Sequence, residues 1–198
     1  MSLEELRNQL HASIERRLDP LTRALTRLGV QPNQVTVAGT LICLASPVLI
    51  VADRLVLAGV VWLAGSALDL LDGALARHQA KVTRGGAFLD STLDRISEGA
   101  LFSAIAYHFA ASGEPIVAAL AVVAMLGSFM ISYTRARAEG LGIQCKVGIV
   151  TRAERIVLLG LALLLGFLEA AVYLLVALTA ISVAQRVHHS LREFDAGT

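Results

Sequence analysis

Four aspartates set in apolar sequence, Asp69, Asp72, Asp90 and Asp94, are the residues of this chain best suited to chemistry. They occur in D-L-L-D-G-A-L-A-R, then eight residues, then G-A-F-L-D-S-T-L-D. Ionisable groups in surroundings fit for a bilayer are costly, so they mark a functional site whose partners must be found. Helical offsets of three, four and seven residues share a face, which aligns Asp69, Asp72, Gly73 and Ala76 on one helix. The same rule aligns Gly86, Asp90, Asp94 and Ser97 on the next. The two helices leave one loop in opposite directions. A rise of about 1.5 Å per residue then puts Asp72 and Asp90 roughly 6 Å from the loop, and Asp69 and Asp94 roughly 10–12 Å. Four carboxylates converging in two layers repel one another and tend to take up protons. Hard divalent cations relieve this, and all-oxygen ligation points to Mg²⁺ or Mn²⁺ ahead of Ca²⁺. Gly73, Ala76 and Gly86 leave room beside them for a bulky ligand. The competing reading is a buried polar network with Arg77 or Arg95 as counter-charge; four acids at matched depths beside small residues weigh against it.

The elements that must carry these residues follow from composition. Of 198 residues, 56% are hydrophobic and 17% charged, with a mean hydropathy of +0.67. A soluble domain is about a quarter charged. The expectation is an all-α polytopic membrane protein forming one domain over 1–198, with no nucleic-acid partner. Apolar runs at about 35–52, 55–76, 87–111, 115–133, 156–167 and 170–187 give six transmembrane helices, the fifth short and able to begin earlier. Residues 1–30 form a juxtamembrane amphipathic segment. In 2–18, Leu3, Leu6, Leu10, Ile14 and Leu18 recur at helical spacing behind a Ser2–Glu5 capping box. Asp19-Pro20 is expected to break this helix before a second short one carrying Leu21, Leu25 and Leu28 beside Arg23 and Arg27. Basic and apolar faces together suit the membrane interface. No signal peptide is expected, since the N-terminus lacks a short apolar core followed by a small-residue cleavage site, and Cys43 and Cys145 suggest neither a disulfide framework nor a zinc site.

Net charge is only +1, but its distribution is informative. The N-terminal segment, the loop of Arg77, Lys81 and Arg84, the stretch Arg135–Arg155 and the tail with Arg186 and Arg192 are basic. The opposite loops hold Asp53, Arg54, Glu114 and Glu169. The positive-inside rule places both termini and the aspartates on the cytoplasmic side, in a cell membrane, most naturally a bacterial inner membrane.

The pattern Asp69-x-x-Asp72-Gly73-x-x-Ala76-Arg77-x8-Gly86-x3-Asp90-x3-Asp94 resembles the signature of the CDP-alcohol phosphotransferase family, and Pro32-Asn33-x-Val35-Thr36 resembles the family ahead of its first span. The resemblance implies a six-helix membrane enzyme, usually a homodimer, that transfers a phosphatidyl group from a CDP-linked lipid to an alcohol and releases CMP. It implies that Asp69, Asp72 and Asp90 ligate metal, two ions per site. Asp94 would be the general base for the acceptor hydroxyl and would also reach a metal. Gly73, Ala76, Arg77 and Thr83 would face the CDP group, with the turn Pro32, Asn33, Gln34, Val35 closing over it. The residue types agree: a carboxylate can take a proton from an alcohol, and arginine offers a fixed donor fork for phosphate.

Acceptor recognition is expected elsewhere. A loop S-Y-T-R-A-R-A-E-G from Ser132 to Gly140 and T-R-A-E-R from Thr151 to Arg155 bring four arginines to the aspartates' side, and Arg186 and His189 end the last span. A free polyol needs no such cluster, whereas a phosphorylated one does. The stretch is similar to bacterial phosphatidylinositol-phosphate synthases, which implies Ser132, Arg135, Arg155 and Arg186 as a phosphate cradle. Departures from those relatives, Arg135 for lysine and Thr151 for glutamate, leave glycerol 3-phosphate as a second acceptor. Arg137 and Arg152 fit lipid headgroups equally well. A divalent-cation transporter is the rival of another class, but transporters hold their sites near the midplane, often between repeats, and no repeat is present. Trp62, Tyr107, Tyr133 and Tyr173 read as span packing or interface anchors; His78 and His108 lack partners at ligand spacing, and His188 and His189 read as facing headgroups.

Overall fold

The structure is a computed structural model that describes residues 18–196. The described chain is helical, without strands. Helix α1 covers 18–27, followed by α2 (Pro32–Val51), α3 (Leu55–His78), α4 (Arg84–Ala111), α5 (Pro115–Gly140), α6 (Arg152–Leu165) and α7 (Leu168–Ala196). Four of these, α2, α3, α5 and α7, are long and apolar enough to cross a membrane. At 14 residues, α6 is about 21 Å long, short of a bilayer core of about 30 Å. In α4 length is ample, but Asp90, Asp94, Arg95 and Glu98 interrupt the apolar run.

Three expectations need adjusting. Asp19 and Pro20 are helical, in the first described turn of α1. The Asp19 carbonyl accepts the Thr22 hydroxyl at 2.9 Å, and its carboxylate pairs with Arg23 one turn on. Apart from Leu18, the helix expected over 2–18 lies outside the described residues. The arginine-bearing stretch after Ser132, expected as a loop, is the last part of α5. Arginine, alanine and glutamate are good helix formers, no glycine or proline intervenes before Gly140, and Arg135 pairs with Glu139 at 2.8 Å one turn on. The last helix likewise continues well past 187.

Two compact units divide the chain, Met1–Ile42 with Ala64–Asp94, and Cys43–Leu63 with Arg95–Thr198. In the first unit, Val35, Leu71 and Leu75 form a small apolar core, with Leu18, Leu25, Val30 and Leu68 packed on it. Helix α1 ends in a Schellman turn: Gly29 N–H reaches Thr26 C=O and Val30 N–H reaches Leu25 C=O, both at 3.1 Å. Gly29 sits at φ +74°, where a side chain would be strained. The turn is then pinned to the end of α3. Gln79 Nε2 donates to Val30 C=O at 2.9 Å and lies 3.3 Å from the Thr26 hydroxyl, and Lys81 Nζ donates to Gln31 Oε1 at 2.9 Å. These bonds set where Pro32 and Asn33 enter α2.

In the second unit the core includes Trp62, Phe102, Ile105, Leu159, Leu163 and Leu175. Small residues allow close helix approach, as membrane bundles require. A Cβ on Gly59 would stand 3.0 Å from Gly160 C=O, and one on Gly160 would overlap the Leu63 side chain. Trp62 proves to be a packing residue, fully buried, with its indole N–H on Ile156 C=O at 3.2 Å. The segment between α5 and α6 is stitched to one face of α7. Val150 N–H donates to Ser182 Oγ at 3.1 Å and Ile149 N–H to Gln185 Oε1 at 3.1 Å, while His189 Nε2 lies 3.2 Å from Gln144 C=O. His189 thus touches backbone.

Candidate active site

In the first unit, the end of α3, the start of α2 and the start of α4 line an open cleft. Its walls hold Pro32, Asn33 and Thr36 from α2, Asp72, Gly73, Ala76 and Arg77 from α3, and Thr83, Gly86, Ala87 and Asp90 around the start of α4, with Lys81 and Val82 from the connecting turn. Most of the residues nominated for the CDP group therefore share one cavity with two of the aspartates. Two nominees do not line it. Val35 is buried in the apolar core below, and Gln34 is exposed, its Oε1 accepting the Gln31 amide at 2.9 Å.

The local sequence explains the cleft's shape. Gly73 has no near neighbour where its Cβ would be except the Arg77 guanidinium, with Nη1 at 3.4 Å. Arg77 therefore arches over a backbone left bare. At Gly86 a Cβ would press on Thr83 Oγ1 at 3.1 Å and Asn33 Oδ1 at 3.2 Å, so glycine is what lets α2 and α4 approach there. Thr83 has a second task beyond lining the cleft. Its hydroxyl accepts Gly86 N–H at 3.0 Å, the bond by which an N-cap residue starts a helix. The positive end of α4 thus opens onto a cavity that also holds Arg77 and Lys81, a setting that favours phosphate.

Asp72 is buried. The Thr36 side chain lies beside its carboxyl, and Asp90 and Asp69 are the acids that act on it. Thr36 itself donates to Pro32 C=O at 3.2 Å. Asp72 Oδ2 is buried without a hydrogen-bond partner, a costly state for a carboxylate oxygen. Asp69 packs beneath Gly39, where a Cβ would stand 3.1 Å from its Oδ1. Asp94 is buried as well. Among the described residues no three acids, histidines or cysteines are gathered tightly enough to enclose an ion as they stand; mutual repulsion opposes closer approach of carboxylates. An all-oxygen donor set with an unsatisfied buried oxygen fits a hard divalent cation.

The second unit contains the arginines nominated for the acceptor. Arg155 is fully buried and Arg186 nearly so, while Arg135 is exposed. The charges of Arg135, Arg155 and Glu139 all act on Arg186, so the three arginines do cluster. Each also has protein partners. Arg135 pairs with Glu139, and Arg186 Nε donates to Val147 C=O at 2.9 Å while its Nη1 reaches Ile131 C=O. Gly148, at φ +130° and with a Cβ position 3.3 Å from Arg186 Nε, makes room for that guanidinium. Ser132 Oγ lies 3.4 Å from Ser128 C=O. Arg155 holds Glu98 through two bonds, Nε to Oε1 at 2.8 Å and Nη2 to Oε2 at 3.2 Å. Glu98 escaped the reading of the sequence because it lies outside the motif. The signal was present, since it is another acid in an apolar run, one turn after Asp94.

Comparison with known proteins bears on the whole. Residues 30–185 match the model of the CDP-alcohol phosphatidyltransferase family. The chain is 35% identical to an archaetidylinositol phosphate synthase of Pyrococcus horikoshii, over 96% of this chain and 99% of that one. It is 37% identical to a phosphatidylinositol phosphate synthase of Mycobacteroides abscessus, over 86% and 81%. The crystal structure of the Mycobacterium tuberculosis phosphatidylinositol phosphate synthase with CDP-DAG bound superposes with a TM-score of 0.81 at 30% identity, covering 88% of this chain and 94% of that one. The same protein has been crystallised with manganese and citrate. With the aspartate motif, the helical architecture and similarity over nearly its full length in agreement, the chain belongs to the CDP-alcohol phosphatidyltransferase family.

Proposed function

We propose that this protein transfers a phosphatidyl group from CDP-diacylglycerol to inositol phosphate and releases CMP. The observation that carries the donor half is the cleft, in which Gly73, Arg77, Thr83, Pro32 and Asn33 surround Asp72 and Asp90. A solved relative that superposes on this chain holds CDP-DAG. Asp69, Asp72, Asp90 and Asp94 would hold two ions of Mg²⁺ or Mn²⁺, and the manganese form of that relative supports a divalent ion. When bound, such ions supply charge neutralisation at the diphosphate and at the leaving CMP. The protein's own residues do the rest. Arg77 and the start of α4 hold phosphate oxygens, bare backbone at Gly73 admits the nucleotide, and the pinned turn before Pro32 keeps one wall in place. Asp94 takes the proton of the attacking hydroxyl, a role for which its burial suits it.

The acceptor half rests on Arg155, Arg186, Arg135 and Ser132, and on relatives named for inositol phosphate lipids. Those names differ in the lipid portion, so a donor with archaeal lipid chains is the second reading. Six membrane crossings, with α4 and α6 included, a cytoplasmic active site and termini, and a homodimer embedded in lipid complete the proposal. The supports are the arginine distribution, the apolar helices and the family resemblance.

The test is CMP release by purified protein from CDP-diacylglycerol or its archaeal counterpart, with inositol phosphate, inositol and glycerol 3-phosphate as acceptors. Turnover with inositol phosphate alone is expected. Turnover with glycerol 3-phosphate alone would overturn the acceptor, and no CMP with any acceptor in the presence of Mg²⁺ or Mn²⁺ would overturn the reaction.

A further inference from the structure

Every guanidinium in the arginine cluster is engaged, but they are engaged differently. Arg135 is exposed, and its exposed partner Glu139 sits on the same helix. Arg186 has its Nε and Nη1 on backbone carbonyls, which suits a clamp on the segment before α6. Arg155 alone is both fully buried and held by a buried carboxylate from another helix, Glu98 of α4. The two parallel bonds use the edge of the guanidinium formed by Nε and Nη2. A planar fork held along one edge has its plane and direction fixed. Its other edge begins at Nη1, which is buried and has no hydrogen-bond partner. Arg155 thus carries an oriented donor, buried and without a hydrogen-bond partner, among other positive charges.

We propose that Glu98 is a positioning residue for acceptor selection. It aims Arg155 Nη1 at the phosphate of the incoming alcohol, and so makes the enzyme select a phosphorylated acceptor over the free polyol. Glu98 touches neither substrate. It also lowers the net positive charge of the cluster, so that affinity depends on directed hydrogen bonds more than on bulk charge. This inference rests on the phosphorylated acceptor proposed above. A plain brace between α4 and α6 is the competing role, and it makes different predictions.

The experiment compares wild type with Glu98→Gln and Glu98→Asp in steady-state CMP release, varying inositol phosphate and CDP-diacylglycerol separately, with inorganic phosphate as a competing anion. Glu98→Gln keeps the shape but gives up one of the two charge-assisted bonds; Glu98→Asp keeps the charge but withdraws the carboxylate by one methylene. For Glu98→Gln the KM for inositol phosphate is expected to rise at least tenfold. The KM for CDP-diacylglycerol should stay within about twofold, inhibition by inorganic phosphate should weaken in parallel, and preference over free inositol should narrow. Glu98→Asp should fall between Glu98→Gln and wild type. A lowered Tm with acceptor KM and phosphate inhibition unchanged would assign Glu98 to the fold and overturn the proposal. Equal rises in both KM values, or loss of folding in both variants, would do the same. Wild type that turns over free inositol as well as inositol phosphate would instead overturn the phosphorylated acceptor itself, a result visible before any variant is made.

Discussion

At the scale of single residues, each member of the cleft has a separable physical role. Gly73 stands where a methyl would enter the cavity but would meet only the tip of Arg77. Gly73→Ala is therefore expected to raise the KM for the CDP-lipid about tenfold, roughly 1.4 kcal/mol of binding. The fold should be unharmed or slightly firmer, since alanine is the better helix former. Unchanged KM would mean that the nucleotide does not approach this backbone. Asp94→Asn keeps size and hydrogen bonding but removes the base. Turnover should fall by about 10²–10⁴-fold while binding of CDP-diacylglycerol persists, measured by calorimetry with the same protein. Loss of both together would make Asp94 a ligand of the donor's site and not a base.

At the scale of elements, the ends of helices decide where the site residues point. The C-terminus of α3 closes as α1 does: Ala80 N–H reaches Arg77 C=O at 3.1 Å and Lys81 N–H reaches Ala76 C=O at 2.9 Å. Here the left-handed position is held by Ala80 at φ +50°, which costs a residue with a Cβ about 1 kcal/mol. Ala80→Gly should recover about that much stability, seen as a higher Tm, without moving any residue that lines the cleft. The opposite result is expected at Gly160. A methyl there overlaps Leu63, so Gly160→Ala should destabilise by about 1–3 kcal/mol and leave the donor KM unaltered. The aspartates' helices were legible in sequence because a period of 3.6 residues governs both the apolar runs and the acid spacing. Their exact ends were not legible. The run Ser132–Gly140 reads as polar and so as loop, yet its residues are helix formers with an internal ion pair, and α5 simply continues.

At the scale of the whole molecule, orientation is the property that charge distribution fixes. Both native cysteines are buried, so a single introduced thiol can be labelled against a low background. Leu141→Cys, in the exposed segment after α5, should be blocked only by a reagent that enters the cytoplasm, and Ser112→Cys, in the exposed turn after α4, by an impermeant one. The reverse pattern would invert the topology. Chelation should abolish CMP release in the intact protein, with Mn²⁺ or Mg²⁺ restoring it.

What the sequence determined by itself was the motif, the helical class and the family, and with them the residues proposed for the donor site. Those depend on local spacing: acids three or four residues apart share a helix face wherever the helix lies, and an apolar run of sufficient length declares itself. The tertiary structure decided what spacing cannot express. It joined the turn before Pro32 to the end of α3 through Gln79 and Lys81, and it placed Thr83 as the cap of α4. It also paired Arg155 with Glu98, 57 residues away in sequence. A carboxylate's partner is set by which helix packs beside it, and no period along the chain carries that information.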